Sequence, residues 1–369
     1  MHLVELSLNN FRNFKRLDLP LTPNITILVG KNAQGKTNIL ESIVYTCTGR
    51  SHRTSLDREV IRFGEDFAYI RAIVEKSIGN NKVEIGLSKS KSKMVNINGT
   101  SVKRLGELMG HINGVVFSPD DLSLIKGAPS ERRKFLDMEI SQIRPNYFYA
   151  LQKYNRVLSQ RNNLLKDIQK RPSMKKGLGV WSEQLSDAGA QIIWERNRFL
   201  RKLRIVSAKV HKTLTFGNEK LDIIYRPSIE QKGDIEETKK HFLEVLDSTE
   251  AMDIERGITQ RGCHRDDMLF SIDNIDTRTY GSQGQQRTVV LSLKLAEIEI
   301  MKNMTGEMPI LLLDDVFSEL DEYRKKMLLD SIGDVQAIIT TTNIDDVSAL
   351  DEKSYLVYRV ESGNVWRQG

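Results

Sequence analysis

Gly30-Lys31-Asn32-Ala33-Gln34-Gly35-Lys36-Thr37 fits the pattern G-x-x-x-x-G-K-[ST]. A β-rich run, Ile25 to Val29, precedes it, and Thr37 to Thr48 follows with Ile39, Leu40, Ile43 and Val44 on one helical face. Strand, glycine turn and helix in that order constrain the fold more than any other stretch of the chain. The glycines let backbone N–H groups turn inward around phosphate oxygens, and the helix N-terminus adds a dipole that favours an anion. Such a pattern also arises by chance as a plain glycine loop. The flanking strand and helix are the context that turns it into a phosphate site. Lys36 then reaches the β- and γ-phosphates of a nucleoside triphosphate, and the Thr37 hydroxyl ligates Mg²⁺. Gly30 to Thr37, with Asn38 behind them, form the expected nucleotide-binding set.

Two further elements gain meaning beside that loop. Ile310-Leu311-Leu312-Leu313 reads as a buried strand ending in Asp314-Asp315. Alone it is a strand followed by a solvated acidic turn. Next to a phosphate loop, Asp314 holds Mg²⁺ and Asp315 is placed to orient water for attack on the γ-phosphate. Ser282-Gln283-Gly284-Gln285 opens a helix expected from about Ser282 to Met304, with Ser282 as its N-cap. The plain reading is a capped helix start. The functional one is a second phosphate-binding helix terminus. Since one loop already cradles its own γ-phosphate, this one makes most sense on nucleotide held by another subunit.

The rest of the chain bounds the setting. Apolar residues make up 39% of 369, enough for a sizeable core. Two cysteines, Cys47 and Cys263, supply neither a disulfide framework nor a four-ligand zinc site, which points to a reducing, cytoplasmic setting. The first ten residues lack the basic and apolar regions of a signal peptide, and no apolar run is long enough for a membrane span. Ala68 to Ile97 alternates as an antiparallel sheet, with turns expected at Asn80-Asn81 and Asn98-Gly99 and with Lys89, Lys91 and Lys93 on one face. Tyr147, Leu151, Tyr154, Leu158, Leu165 and Ile168 form a helical seam, Arg161 being the exception. Trp181 to Val210 forms a second, interrupted at Glu195. The Arg171-Pro172 to Gly179 break between them predicts an antiparallel hairpin of two helices of similar length.

The order of these elements resembles the ABC-type ATPases. Asn9-Asn10-Phe11-Arg12-Asn13-Phe14 ahead of the phosphate loop is similar to their SMC branch. Gly49-Arg50-Ser51-His52-Arg53, Phe117 to Leu122, Gly127 to Asp137, His264-Arg265-Asp266-Asp267 and Leu312 to Asp321 resemble, within it, the RecF family of bacterial recombination mediators. The likeness spans nearly the whole chain. It implies an α/β fold: an ABC/SMC-type P-loop ATPase head, with a mixed sheet flanked by helices and an antiparallel β lobe, carrying an inserted α-helical lobe built on the helical hairpin. The expected domains are 1–125 with 260–369 as the discontinuous head, and 126–259 as the insertion. The resemblance also implies ATP and Mg²⁺ as ligands and an ATP-dependent head-to-tail homodimer in which Ser282, Gly284 and Gln285 face the γ-phosphate held by the other copy's Lys36. It implies weak, DNA-stimulated ATP hydrolysis, binding of single- and double-stranded DNA through the backbone, and RecR and RecO as partners. Arg12 and Phe14 are expected at the adenosine part, Ser318 to Asp321 at the dimer interface, and Asp120 or Asp121 in place of a Q-loop glutamine. Where transporters carry a switch histidine, this chain reads Thr340-Thr341-Thr342-Asn343.

Three rival readings stand beside this one. An ABC transporter ATPase subunit shares the phosphate chemistry, but not the helical insertion or the missing histidine. A nuclease would use His264 with Asp266 and Asp267, yet no further acidic cluster accompanies them, so a structural role is expected. A passive DNA-binding protein would use ATP only structurally. The net charge of +6 favours a polyanion partner. Lys89/Lys91/Lys93, Arg132-Arg133-Lys134, Lys170-Arg171 with Lys175-Lys176, and Arg196 to Arg204 are either solvated faces or a backbone-reading surface.

Overall fold

The structure is a computed structural model that describes residues 1–21, 25–333, 335–344 and 355–368. In chain order the first elements are β1 (His2–Phe11), β2 (Phe14–Pro20), β3 (Ile25–Val29), α1 (Lys36–Thr48), β4 (Phe67–Lys76), β5 (Gly79–Ser88), β6 (Met94–Ile97), β7 (Thr100–Ser101) and β8 (Gly114–Phe117). The middle adds α2 (Ser123–Lys126), α3 (Pro129–Ile143), α4 (Pro145–Lys170), α5 (Leu178–Leu214), β9 (Leu221–Arg226), α6 (Ile235–Ser248), α7 (Glu250–Arg256), β10 (Asp267–Ile272), β11 (Ile275–Asp276) and α8 (Thr277–Tyr280). The last are α9 (Gln283–Thr305), β12 (Ile310–Asp314), α10 (Glu322–Ile332), β13 (Ala337–Thr341), β14 (Tyr355–Glu361) and β15 (Asn364–Gln368). They divide into two compact units, Met1–Asp121 with Leu293–Gly369, and Leu122–Ser292.

The first unit holds two six-stranded sheets. One is antiparallel, in the order β2-β1-β4-β5-β6-β7. The other, β15-β14-β3-β13-β12-β8, is parallel except at its β14–β15 hairpin. Strands β12 and β13 are buried over nearly their whole length, as parallel strands covered on both faces must be. Ile39, Leu40 and Ile43 of α1 share one apolar cluster with Leu3, Leu6 and Leu8 of β1, Ile70 and Val74 of β4, and Leu312 and Ile338 of the parallel sheet. Gly49 ends α1 in the left-handed conformation (φ 67°), its N–H donating to the Tyr45 carbonyl at 2.7 Å.

Two expectations in the antiparallel sheet are corrected. The first hairpin turns at Ser77-Ile78, since Lys76 pairs with Gly79, so Asn80 and Asn81 lie within β5. Asn98-Gly99 does turn, both residues at positive φ, between β6 and β7. Lys89, Lys91 and Lys93 follow the end of β5 and form no common strand face. Lys93 turns inward, to Asp57 at 2.9 Å, to the Gly49 carbonyl at 2.6 Å and over the Tyr45 ring.

The second unit is built on α4 and α5, joined by a 3₁₀ turn at Pro172–Gly177. The pairs Tyr147–Arg196, Lys153–Asp187 and Arg161–Ser182 ascend one helix while descending the other, so the two are antiparallel. They are not of similar length, with 26 residues in α4 and 37 in α5. Arg161, the exception in the apolar seam, is fully buried. It donates to Asp253 at 2.8 Å and Thr259 at 2.7 Å. The stretch from 260 to 292, expected with the head, belongs to this unit because β10 pairs with β9 along its whole length.

Candidate nucleotide site

Strand β3 delivers the chain to Gly30 where no side chain fits. A Cβ there would lie 2.2 Å from the Val360 carbonyl oxygen of β14. Gly35 closes the loop at φ 118°, and a Cβ there would meet Asn13 at 2.5 Å and the Phe14 ring at 2.9 Å. Ala33 also has positive φ. Gly35 is the N-cap of α1 and brings no side-chain cap, so the first N–H groups of the helix are left facing the loop's concavity.

Lys36 is buried, and its Nζ folds back to donate to the Gly30 carbonyl at 2.5 Å and the Lys31 carbonyl at 3.1 Å. Burial lowers its pKa, and the carboxylates of Asp315 and Asp314 act against that shift. Thr37 Oγ1 donates to Asp314 Oδ1 at 3.0 Å. Asn32 to Asn38, Arg53, Asp314, Asp315 and Thr340 line one cleft, which brings the loop from Asn32 onward beside both carboxylates. The donors beside Thr37 are hard oxygens. Mg²⁺ is usually held by one or two such groups plus phosphates, rather than by an all-protein cage. No cluster of three or more His, Cys, Asp or Glu suited to a metal exists among the described residues.

Several further residues shape this cleft through bonds that the sequence does not display. Asn13 Nδ2 donates to the Gln34 carbonyl at 2.8 Å, and its Oδ1 accepts from Asn38 at 2.9 Å. The β14–β15 turn covers the same point, with Ser362 N donating to Gln34 Oε1 at 2.7 Å. Arg53 lines the cleft and donates to Asn38 Oδ1 at 3.0 Å. At the cleft's edge, Thr341 Oγ1 donates to the Asn343 carbonyl and closes a local turn.

Arg12 and Phe14, expected at the adenosine part, are both engaged within the protein. The Arg12 guanidinium donates twice to Glu41, at 2.6 and 2.9 Å, and once to the Glu59 carbonyl at 2.7 Å. Glu41 is fully buried. Burial pushes its carboxyl up, but Arg12, Ser51 and Arg53 outweigh this and hold it below the usual carboxylate range. Phe14 is completely buried. Asp120 is exposed, whereas Asp121 accepts from Ser118 N at 2.7 Å and pairs with buried Lys294 at 3.2 Å.

In the second unit, α9 begins with a reciprocal cap. Ser282 Oγ accepts from Gln285 N at 3.2 Å, and Gln285 Oε1 accepts from Ser282 N at 2.9 Å. Ser282 and Gln283 are exposed, with Gly284 and Gln285 half-buried. Gln285 also donates to Glu219 at 2.9 Å, and Glu219 meets buried His211 at 3.1 Å.

His264-Arg265-Asp266-Asp267 is structural. His264 bonds Tyr154 and the Thr259 carbonyl, Asp266 accepts from Arg196 and Tyr225, and Asp267 takes a bidentate bond from Arg132. This corrects the reading of two basic clusters. Arg132 and Arg196 are buried ion-pair partners and present nothing to a polyanion, while Arg198 and Arg201 are exposed.

The family model for the RecF/RecN/SMC N-terminal domain matches residues 2–365. A DNA replication and repair protein RecF from Clostridium botulinum strain Okra is 45% identical over 368 residues, covering 100% of both chains. One from Clostridium tetani is 44% identical, covering 98% of this chain and 99% of its own. A solved structure described as the recombination mediator protein RecF-ATP in the RecFOR pathway superposes with a TM-score of 0.92 at 38% identity, covering 100% of this chain and 98% of its own. An Smc head domain from Pyrococcus furiosus shares the fold, with a TM-score of 0.57 at 15% identity over 100% of this chain and 96% of its own.

Proposed function

The chain belongs to the RecF family, within the RecF/RecN/SMC group, and we propose on that premise that it is an ATP-driven DNA clamp serving replication and recombinational repair. The convergence of Lys36, Thr37, Asp314 and Asp315 on one cleft carries the reading. The loop from Gly30 to Asn38 binds the triphosphate. Lys36 exchanges its two loop carbonyls for β- and γ-phosphate oxygens, which match its charge better. Thr37 and Asp314 are the protein's contribution to a Mg²⁺ site. Mg²⁺ bound there neutralises charge developing on the phosphates. Asp315 orients the attacking water. Arg12 braces α1, the helix that the loop opens, through Glu41.

Ser282, Gln283, Gly284 and Gln285 serve the γ-phosphate of a second copy, the capped helix offering an exposed hydroxyl and a helix N-terminus. ATP thus joins two chains, and hydrolysis, slow without a histidine near Thr340 to Asn343, parts them. DNA is held by backbone contacts, to which exposed Arg198 and Arg201 contribute. RecR and RecO are the expected partners, as the pathway of the ATP-bound relative indicates. The test is equilibrium binding of gapped DNA with and without MgATP. Affinity that rises with MgATP in the wild type, and not in Lys36→Ala, supports the clamp. Affinity indifferent to nucleotide refutes it.

A further inference from the structure

Beyond the loop and the two carboxylates, one residue of β13 touches both sides of the chemistry. Parallel pairing of β12 with β13 sets Thr340 beside Asp314. Thr340 is fully buried, yet its hydroxyl is not used to complete the strand ladder. Oγ1 donates to Asp314 Oδ1 at 2.7 Å and accepts from the backbone N–H of Asp315 at 3.0 Å. The same N–H also reaches the Thr340 carbonyl at 3.2 Å. Asp315 has φ 53°, in the left-handed region, a conformation that costs a residue with a side chain energy and that neighbouring bonds help to hold. Thr340 is such a neighbour.

We infer that Thr340 is a positioning residue for the metal site: its one hydroxyl orients the Asp314 carboxylate toward the Thr37 hydroxyl and fixes the backbone turn that aims Asp315 into the cleft. The inference rests on the Mg²⁺-nucleotide reading of that cleft. A strand threonine with no donor to a neighbouring carboxylate would tolerate valine, which has the same shape and suits a buried strand. Here valine removes the donor that sets the orientation of Asp314 and one acceptor of the Asp315 backbone N–H. Groups that orient a ligand from behind typically change metal affinity about 10- to 100-fold when lost.

The experiment compares wild type, Thr340→Val and Thr340→Ser. Binding of a non-hydrolysable ATP analogue is measured by calorimetry across a Mg²⁺ titration and again in excess chelator. The expected result is a half-saturating Mg²⁺ concentration raised roughly tenfold in Thr340→Val, near-wild-type behaviour in Thr340→Ser, and chelator-state binding alike in all three. Thr340→Val matching wild type throughout the Mg²⁺ titration overturns the inference. So does equal loss of binding with and without Mg²⁺, or failure of serine to restore it, since either marks a general packing role. Wild-type binding that ignores Mg²⁺ would remove the reading of the cleft beneath the inference, a failure visible without any variant.

Discussion

Gly30→Ala tests the geometry of the phosphate loop at its tightest point. The added Cβ falls 2.2 Å from the Val360 carbonyl oxygen. That atom is backbone within β14, which pairs with β3 on one edge and β15 on the other, so it has no rotamer to escape into. Restoring an ordinary contact needs a displacement of about 1 Å, and the looser partner is the loop. Misplacement of a binding group by about 1 Å costs up to ~100-fold in function. Overpacking a rigid site costs roughly 1–3 kcal/mol of stability. Gly179→Ala is the control, because a Cβ there meets nothing within 4 Å and the residue sits in the first turn of α5. Nucleotide affinity by calorimetry and the urea midpoint are measured for both variants. Gly30→Ala should lose both, with Gly179→Ala unchanged or slightly stabilised. Gly30→Ala that bound nucleotide like wild type would show that the approach of β14 does not shape the loop.

Asp315→Asn should bind ATP and hydrolyse it poorly, seen as a lasting ATP-bound state in single-turnover assays. Normal hydrolysis would remove Asp315 as the base. Asp253→Asn leaves the fully buried Arg161 without its counter-charge and should cost about 3–5 kcal/mol in urea unfolding. A loss under about 1 kcal/mol would mean that Ser182 and Thr259 satisfy Arg161 alone. His264 has its pKa pushed down to about 4, first by burial, and Arg265, Arg133 and Arg161 add to the shift. The unfolded state protonates near 6.5 and the folded state only near 4. Stability from this group is therefore complete above about 6.5 and is lost progressively as pH falls to about 4, by up to about 3 kcal/mol. Urea midpoints of wild type should fall more between pH 7 and 5 than those of His264→Gln, and parallel curves would refute the assignment.

The phosphate loop, the carboxylate strand and the capped helix were legible because each is written in contiguous residues whose spacing matches one local geometry. What escaped depends on partners far along the chain. Arg161 looked like a flaw in an apolar seam until Asp253 and Thr259 supplied its counter-charge and acceptor. Arg132 and Arg196 looked like surface cations because the sequence does not show Asp267 and Asp266 arriving beside them. The lysines at 89, 91 and 93 fit a strand pattern, but the chain bends after Ser88 and Lys93 finds Asp57. Asn13, the β14–β15 turn and Thr340 shape the cleft through bonds to residues 21 or more positions away. Neither composition nor periodicity marks them.

The clamp itself is tested most directly by molar mass from light scattering, with and without MgATP, for wild type and Lys36→Ala. The account predicts that mass doubles only for wild type with MgATP, with Ser282 to Gln285 completing the second phosphate site. Unchanged mass would contradict it, leaving the capped helix without a role across subunits.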